Sequence, residues 1–219
     1  GDSLRVIPSL VTSSMISRGP VMIYYGQELG EQARDNEGFA GDNDRTTIFD
    51  YWSLSTIRRW INGGKCDDEL LSPHERWLRD VYRKVLTLCN DRVSLREGNF
   101  FDLMYANLRQ EGFDPHRHFA FLRYEGDDVL LIVVNFSTEE SHVNVMIPQL
   151  AFEMTGMKKG EILTKDLLWG KAHKLKLSTD SPVSVYLRSV DAVVLAVGRL
   201  EDFSGTKMTG SRLRGEKKS

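Results

Sequence analysis

The sequence is poor in the features that mark specialised folds. Only two cysteines, Cys66 and Cys89, occur in 219 residues, too few for a disulfide scaffold or a cysteine-rich zinc site. Nothing argues for a bridge between them, and Cys89, inside an apolar helical run, reads as a small buried hydrophobe. No apolar stretch reaches the roughly 20 residues that a membrane-spanning helix needs. An excess of one charge is lacking too. Lys and Arg total 29 against 31 Asp and Glu, for a formal net charge of −2, which leaves no bulk electrostatic footprint for DNA, RNA or anionic lipid. Neither a nucleic acid nor a membrane is therefore an expected partner. The five histidines are scattered, so a zinc or Ser-His-Asp site has no local support. There is no internal repeat. The chain opens Gly1-Asp2-Ser3, without an initiating Met or a signal-peptide pattern.

What is present is ordinary globular composition, 41% hydrophobic, in a chain long enough to bury about 70% of its unfolded surface. Over residues 4–16, Val6, Ile7, Leu10, Val11 and Met15 recur at helical steps, and Arg18-Gly19-Pro20 ends that pattern. Val21-Met22-Ile23-Tyr24-Tyr25 follows, closed by Gly26. Such a run without polar alternation predicts a strand buried on both faces, as in the parallel sheet of a barrel or doubly wound fold. No second strand of that type occurs. Either another chain completes the sheet or the sequence is cut from a longer one.

Residues 30–72 are polar and glycine-rich, a long connection of the kind that carries function; within it, residues 55–61 read as a short helix. Ser72-Pro73-His74-Glu75 reads as an N-cap, a Pro at the first helical position and a capping-box acid. The helix it opens carries Trp77, Leu78, Val81, Tyr82, Val85 and Leu86 on one side and ends near Asn90. Beyond residue 113 the texture becomes strand-like. Residues 118–124 and 129–135 form a hairpin around Gly126-Asp127-Asp128, and residues 143–147, 175–177, 183–187 and 192–197 continue the series. Short strands with polar turns and no helical pattern between them predict an antiparallel sandwich or barrel. Residues 201–219 read as a flexible basic tail with Arg212, Arg214, Lys217 and Lys218.

The candidate chemistry lies after the apolar run, where α/β folds bind ligands. Gly26-Gln27-Glu28-Leu29-Gly30 precedes the cluster Asp42-Asn43-Asp44-Arg45, interleaved with Phe39, Phe49, Tyr51 and Trp52. Charged bidentate groups beside aromatic rings suit a sugar; a solvated acidic loop with its aromatics in the core is the alternative. Asp35, Asn36, Glu37, Asp42 and Asp44 miss the EF-hand spacing. His116-Arg117-His118 could be a ligand pair, or a polar lead-in to a strand.

The residues 17–30, Ser-Arg-Gly-Pro-Val-Met-Ile-Tyr-Tyr-Gly-Gln-Glu-Leu-Gly, resemble the last barrel strand of the α-amylase family, glycoside hydrolase family 13. Asp42-Asn43-Asp44-Arg45-Thr46 is similar to the acidic loop that follows it, although Thr47-Ile48-Phe49-Asp50-Tyr51-Trp52 departs from the family's Pro-Met-x-Trp. Leu71-Ser72-Pro73-His74-Glu75 resembles the start of the final barrel helix. Phe119-Ala120-Phe121-Leu122-Arg123 and Val133-Val134-Asn135-Phe136-Ser137 resemble the opening of the C-terminal β-domain. The likeness implies a fold that is α/β plus all-β. Residues 1–112 would be the end of an incomplete (β/α)8 TIM barrel, its last strand with flanking helices. Residues 113–200 would be an antiparallel β-sandwich, and residues 201–219 a tail.

The implied function is retaining cleavage of α-glucans such as starch, glycogen or maltodextrins by two carboxylates. The family carries its catalytic groups on motifs after the third, fourth, fifth and seventh strands, and none of these motifs is in the sequence. Gly112-Phe113-Asp114-Pro115-His116 superficially resembles the nucleophile motif but lacks its Arg and its preceding strand. The expectation is a chain inactive by itself, with the catalytic carboxylates upstream and no catalytic residue of its own. By the resemblance, Arg45 with Asp42 or Asp44 would contact a glucosyl unit, and Glu28 and Tyr25 would support that site. No cofactor or metal is expected, apart from calcium in the parent enzyme. Two alternatives are a non-catalytic glucan-binding β-domain, with Trp169, Phe152 and Tyr186 as candidate platforms, and a purely structural module. A dimer burying the incomplete barrel is a further expectation.

Overall fold

A computed structural model describes residues 5–31 and 54–198. It is a mixed α/β structure built on antiparallel sheets, with no closed barrel among the described residues. The helices precede most of the strands. Helix α1 (Val6–Met15) buries Ile7, Leu10, Val11 and Met15 on one face, the spacing that the sequence pattern anticipates. Helix α2 (Ser55–Ile61) is short and ends in Asn62. Helix α3 (Pro73–Asp91) opens as expected: the Ser72 hydroxyl accepts from the Glu75 N–H, and the Glu75 carboxylate accepts from the Ser72 N–H at 2.7 Å. This reciprocal cap satisfies donors that the first turn would otherwise leave orphaned. A four-residue helix, α4 (Val93–Arg96), leads into strand β1 (Asn99–Asp102) and a further short helix, α5 (Met104–Asn107).

Strands β2 (His118–Glu125) and β3 (Asp128–Asn135) form the expected hairpin, with Glu125 opposite Asp128 across the turn. Then follow β4 (Ser141–Val145), helix α6 (Gln149–Thr155), β5 (Gly160–Lys165), β6 (Ala172–Leu177), β7 (Val183–Leu187) and β8 (Asp191–Ala196). The main sheet runs in the order β1-β2-β3-β8, and β4-β7 and β5-β6 form separate two-stranded ladders. All pairings are antiparallel. The helical interruption at α6 corrects the reading that no helix lies between the strands.

The main sheet is buried on both faces. On one side, Phe121, Leu130, Ile132, Val134 and Val194 pack against α1 and α3. On the other, Leu122, Leu131, Val133, Val193 and Leu195 meet the apolar faces of the two ladders and α6. Consequently β3 is apolar at every position from Val129 to Val134. A strand covered on both faces reads as continuous hydrophobicity even in an antiparallel sheet.

Arg123 of β2 lies 1% exposed at the junction of the helices and the sheet. It donates to the carbonyls of Ser94, Ile16, Leu95 and Gly98 at 2.9–3.2 Å. The charge is thus solvated by peptide oxygens from the chain after α1 and from the α4 region. Asp128 adds a second tie, accepting from the Ser94 N–H at 3.0 Å and pairing with Arg92.

The structure departs from expectation at residues 21–25, which form no strand ladder. Residues 21–24 lead out of the Gly19-Pro20 turn outside any helix or ladder, and their burial alternates. Val21 and Ile23 are half-buried, whereas Met22 is 83% and Tyr24 44% exposed. Ile23 packs on the α1–α3 cluster. Burial on both faces requires partners on both edges, and no described strand neighbours this segment. Cys89 is half-buried rather than fully buried; its thiol contacts the Ser14 carbonyl at 3.4 Å, and burial pushes its pKa up to about 11. No helix of the described residues is long and apolar enough to cross a membrane.

Candidate functional site

The residues after the extended segment close into a one-turn 3₁₀ helix, Gln27–Leu29, framed by Gly26 at φ 77° and Gly30 at φ 73°. Both glycines occupy the left-handed region that side chains disfavour. At Gly26 space is short as well: a Cβ would stand 2.9 Å from the Glu31 Cβ and 3.4 Å from the Ile57 Cδ1. The Gly26 carbonyl accepts from the N–H groups of both Leu29 and Glu31, at 3.0 and 3.1 Å. Leu29 plugs the turn into a small core with Leu54, Ile57 and Leu71. The two glycines of the Tyr-Tyr-Gly-x-Glu-x-Gly pattern are therefore backbone requirements of this turn.

Two side-chain ties fix the surroundings. The Thr56 hydroxyl donates to the Glu31 carboxylate. Positions 31 and 56 flank the stretch that carries Asp42, Asp44 and Arg45, so its two ends are held together. Arg59 of α2 pairs with the capping carboxylate of Glu75, joining α2 to the start of α3. Burial acts to raise the Glu75 pKa, but the bonds from Arg59 and Ser72 outweigh it and hold the carboxyl below its ordinary range.

Between the turn and helices α2 and α3 lies a cleft of about 620 Å³. Tyr24, Tyr25 and Trp60 supply aromatic walls, and Glu28, Arg79 and Arg83 supply charge. Gln27 donates to the Tyr82 hydroxyl at 2.8 Å. Burial, with the nearby charge of Glu28 adding to it, pushes the Tyr82 phenol above its ordinary pKa. The Arg79 guanidinium sits 5.6 Å above the Trp60 ring. Rings and charged donors in one cleft suit stacking and hydrogen bonding to hydroxylated ligands. Glu28 is the one carboxylate in the described lining, so a two-carboxylate retaining mechanism has no pair in it.

Of the residues expected from sequence, Glu28 and Tyr25 are brought together in this cleft, both half-buried. Asp42, Asp44 and Arg45 lie outside the described residues, as do Asp35, Asn36, Glu37, the loop aromatics Phe39, Phe49, Tyr51 and Trp52, and the tail 201–219. Trp60, Arg79 and Tyr82 were not anticipated at the site. Tyr82 belongs to the periodic face of α3, and its link to Gln27 has no sequence signature. Among the described residues no group of three or more His, Cys, Asp or Glu side chains is placed to hold a metal ion.

The three aromatics considered as sugar platforms are each engaged by neighbouring residues, Phe152 by Lys159 over its ring. Phe152 is 6% exposed. Trp169 donates to Asp191 and the Ala192 carbonyl, both at 2.9 Å, with Arg188 over its ring. Tyr186 donates to Glu140 at 2.6 Å and is flanked by Lys171 and His142.

No protein-family profile matches the sequence, and no curated protein sequence matches it. Solved structures do match. AmyP in complex with maltose superposes with a TM-score of 0.57 at 17% identity, covering 89% of this chain and 34% of its own. A noncanonic maltogenic α-amylase, AmyB from Thermotoga neapolitana, gives 0.57 at 13% identity, covering 90% of this chain and 37% of its own. The α-amylase from Geobacillus thermoleovorans complexed with acarbose gives 0.52 at 18%, covering 89% and 33%. The chain has the fold of a part of these α-amylases, in agreement with the motif resemblance, and spans about a third of the length of the structures it matches.

Proposed function

We propose that the chain is the C-terminal part of an α-amylase-type glycoside hydrolase that acts on α-glucans by a retaining two-carboxylate mechanism. Residues 1–112 would be the end of its (β/α)8 barrel, residues 113–200 its β-sandwich and residues 201–219 a tail. The observation that carries this reading is the segment 21–24. Its burial alternates with the period of a strand, its half-buried Ile23 packs on the α1–α3 core, and the amides and carbonyls of Val21, Met22 and Ile23 have no partner among the described residues. A lone strand in that state lacks its sheet neighbours. The likeness to a third of several α-amylases supports this reading, in which the missing neighbours are the rest of a barrel.

In this reading Arg45, with Asp42 or Asp44, hydrogen-bonds a glucosyl unit near the cleaved bond. The Glu31–Thr56 tie holds the ends of their loop, and Glu28 and Tyr25 form the supporting wall. The nucleophile and acid/base carboxylates lie upstream. Matched structures carry maltose, maltotriose and acarbose, which fits this substrate class. Reducing-sugar release from soluble starch tests the reading. The longer enzyme should release sugar, its Arg45→Ala variant should lose most maltooligosaccharide turnover, and the 219-residue chain should release none. Robust release by the chain alone, or full activity of the variant, would refute it. The bare edge also favours pairing of two copies of the isolated chain, which light scattering would register as a dimer; a monodisperse monomer would contradict that part.

A further inference from the structure

A second cleft, of about 270 Å³, lies where the turn before β2 meets the loop between β3 and β4. His118, the first residue of β2, lines it and is 6% exposed. Its Nδ1 accepts the Asp114 N–H at 3.0 Å, which places the ring proton on Nε2. That Nε2–H has no hydrogen-bond partner among the described residues. A buried imidazole donor without a protein partner, on a residue that lines a cleft, is a costly feature unless something occupies it.

The groups around it are held in place. Asn135, fully buried, donates to the carbonyls of Glu139 and Arg188 at 2.8 and 2.9 Å and accepts from the Ser137 N–H. This fixes the loop that presents Glu139, Glu140 and Ser141 to the cleft. Arg117 spans Asp114 at 3.4 Å and Glu139 at 3.2 Å. Ser141 has no side-chain hydrogen bond among the described residues. Phe113 packs edge-on against the His118 ring at 5.5 Å, giving the cleft an apolar wall.

The chemistry of the lining selects the ligand. Three carboxylates against one guanidinium disfavour an anion. A protonated Nε2 offers no lone pair to a metal, and an ammonium group, which has only donors, could not accept from it. A neutral polyol satisfies both sets, accepting from His118 and donating to carboxylates. The volume lies below the roughly 300–1,000 Å³ of drug-sized sites, so it suits one ring.

We propose that this cleft binds a single neutral hydroxylated ring, a glucosyl unit at the end of an α-glucan, separately from the cleft at the motif turn. The polyol chemistry stands on the cleft itself; the choice of an α-glucan rests on the function proposed above. Side-chain ¹⁵N NMR of the 219-residue chain tests it, with maltose, glucose, cellobiose, calcium and phosphate as probes. The expected result is a His118 Nε2–H tautomer at neutral pH whose signal shifts saturably with maltose and glucose. Ser141→Ala and Glu139→Gln should each weaken binding by up to roughly tenfold while leaving the melting temperature within a few degrees. An Nδ1–H tautomer, no response to any saccharide, or a response to calcium or phosphate alone would overturn the proposal. An equal response to cellobiose and maltose would overturn the α-glucan assignment. A saturable maltose response that persists when the longer enzyme proves inactive on starch would uphold the cleft and refute the enzymatic reading.

Discussion

Gln27 and Tyr82 join the motif turn to the middle of α3 through one hydrogen bond of 2.8 Å. Tyr82 is 2% exposed, so this bond is made where water competes poorly. The same Gln27 accepts the Tyr24 N–H through its side-chain oxygen at 3.1 Å. One carboxamide therefore fixes both the end of the extended segment and its distance from the helix. Tyr82→Phe is expected to cost about 1 kcal/mol, and Gln27→Ala somewhat more because two bonds are lost. For a chain of this size that is a fall in melting temperature of roughly 2–4 °C per kcal/mol. Thermal unfolding of the two single variants and the double variant checks it; additive losses would contradict a shared bond.

Gly26→Ala should be more damaging than its chemistry suggests. The left-handed φ costs about 1–2 kcal/mol for any L side chain, and the new Cβ meets the Glu31 Cβ at 2.9 Å. Glu31 would have to move away from Thr56. Gly63, at φ 63° with nothing within 4 Å, provides the control. Gly63→Ala should show the backbone cost alone, and chemical denaturation should rank Gly26→Ala below it.

Arg123→Met would leave four carbonyl acceptors without their donor at the helix–sheet junction. At about 1–3 kcal/mol for each sealed, unsatisfied group, a loss of at least about 3 kcal/mol is expected, with Arg123→Lys recovering only part of it. Urea midpoints measure both. A loss below about 1 kcal/mol would show that these carbonyls find water instead.

The helices and most strands were legible because their signals are local. The Ser72-Pro73-x-Glu75 cap and the period of α3 specify that helix without help from the rest of the chain. Strand β1, Asn-Phe-Phe-Asp, is a four-residue edge, and β5 is largely exposed, so neither carries an apolar pattern to read. Helix α6 had a readable boundary signal in Pro148 before it and Gly156 after it, but its seven residues are too few for a clear period. Apolar runs misled because they report burial without identifying the neighbour. The run at 129–134 is the strand covered on both faces, whereas the run at 21–25 is half bare. At the site, the turn and Glu28 could be read from the motif, but the Gln27–Tyr82 and Arg79–Trp60 contacts could not, since each joins distant elements.

Stability should fall in mild acid. Burial lowers the pKa values of His118 and His173 below 6.5, so the unfolded chain takes up protons that the folded chain refuses. The stability they contribute is present above about 6.5 and is lost as the pH falls through their lowered folded values. Asp166 acts oppositely: burial raises its carboxyl above 3.8, and its contribution, present below 3.8, is lost as the pH rises through the raised value. Urea unfolding across this range should show the decline below pH 6.5. His118→Gln and His173→Gln should flatten it, and Asp166→Asn should not.

Residues 21–24, proposed above as a barrel strand without its neighbours, are open to amide hydrogen exchange at Val21, Met22 and Ile23. In the 219-residue chain, measured dilute enough to be monomeric, these amides should exchange near the rate of an unstructured peptide. In the longer enzyme proposed above they should be protected as strongly as the amides of β3. Strong protection in the monomeric chain alone, or none in the longer enzyme, would contradict the account.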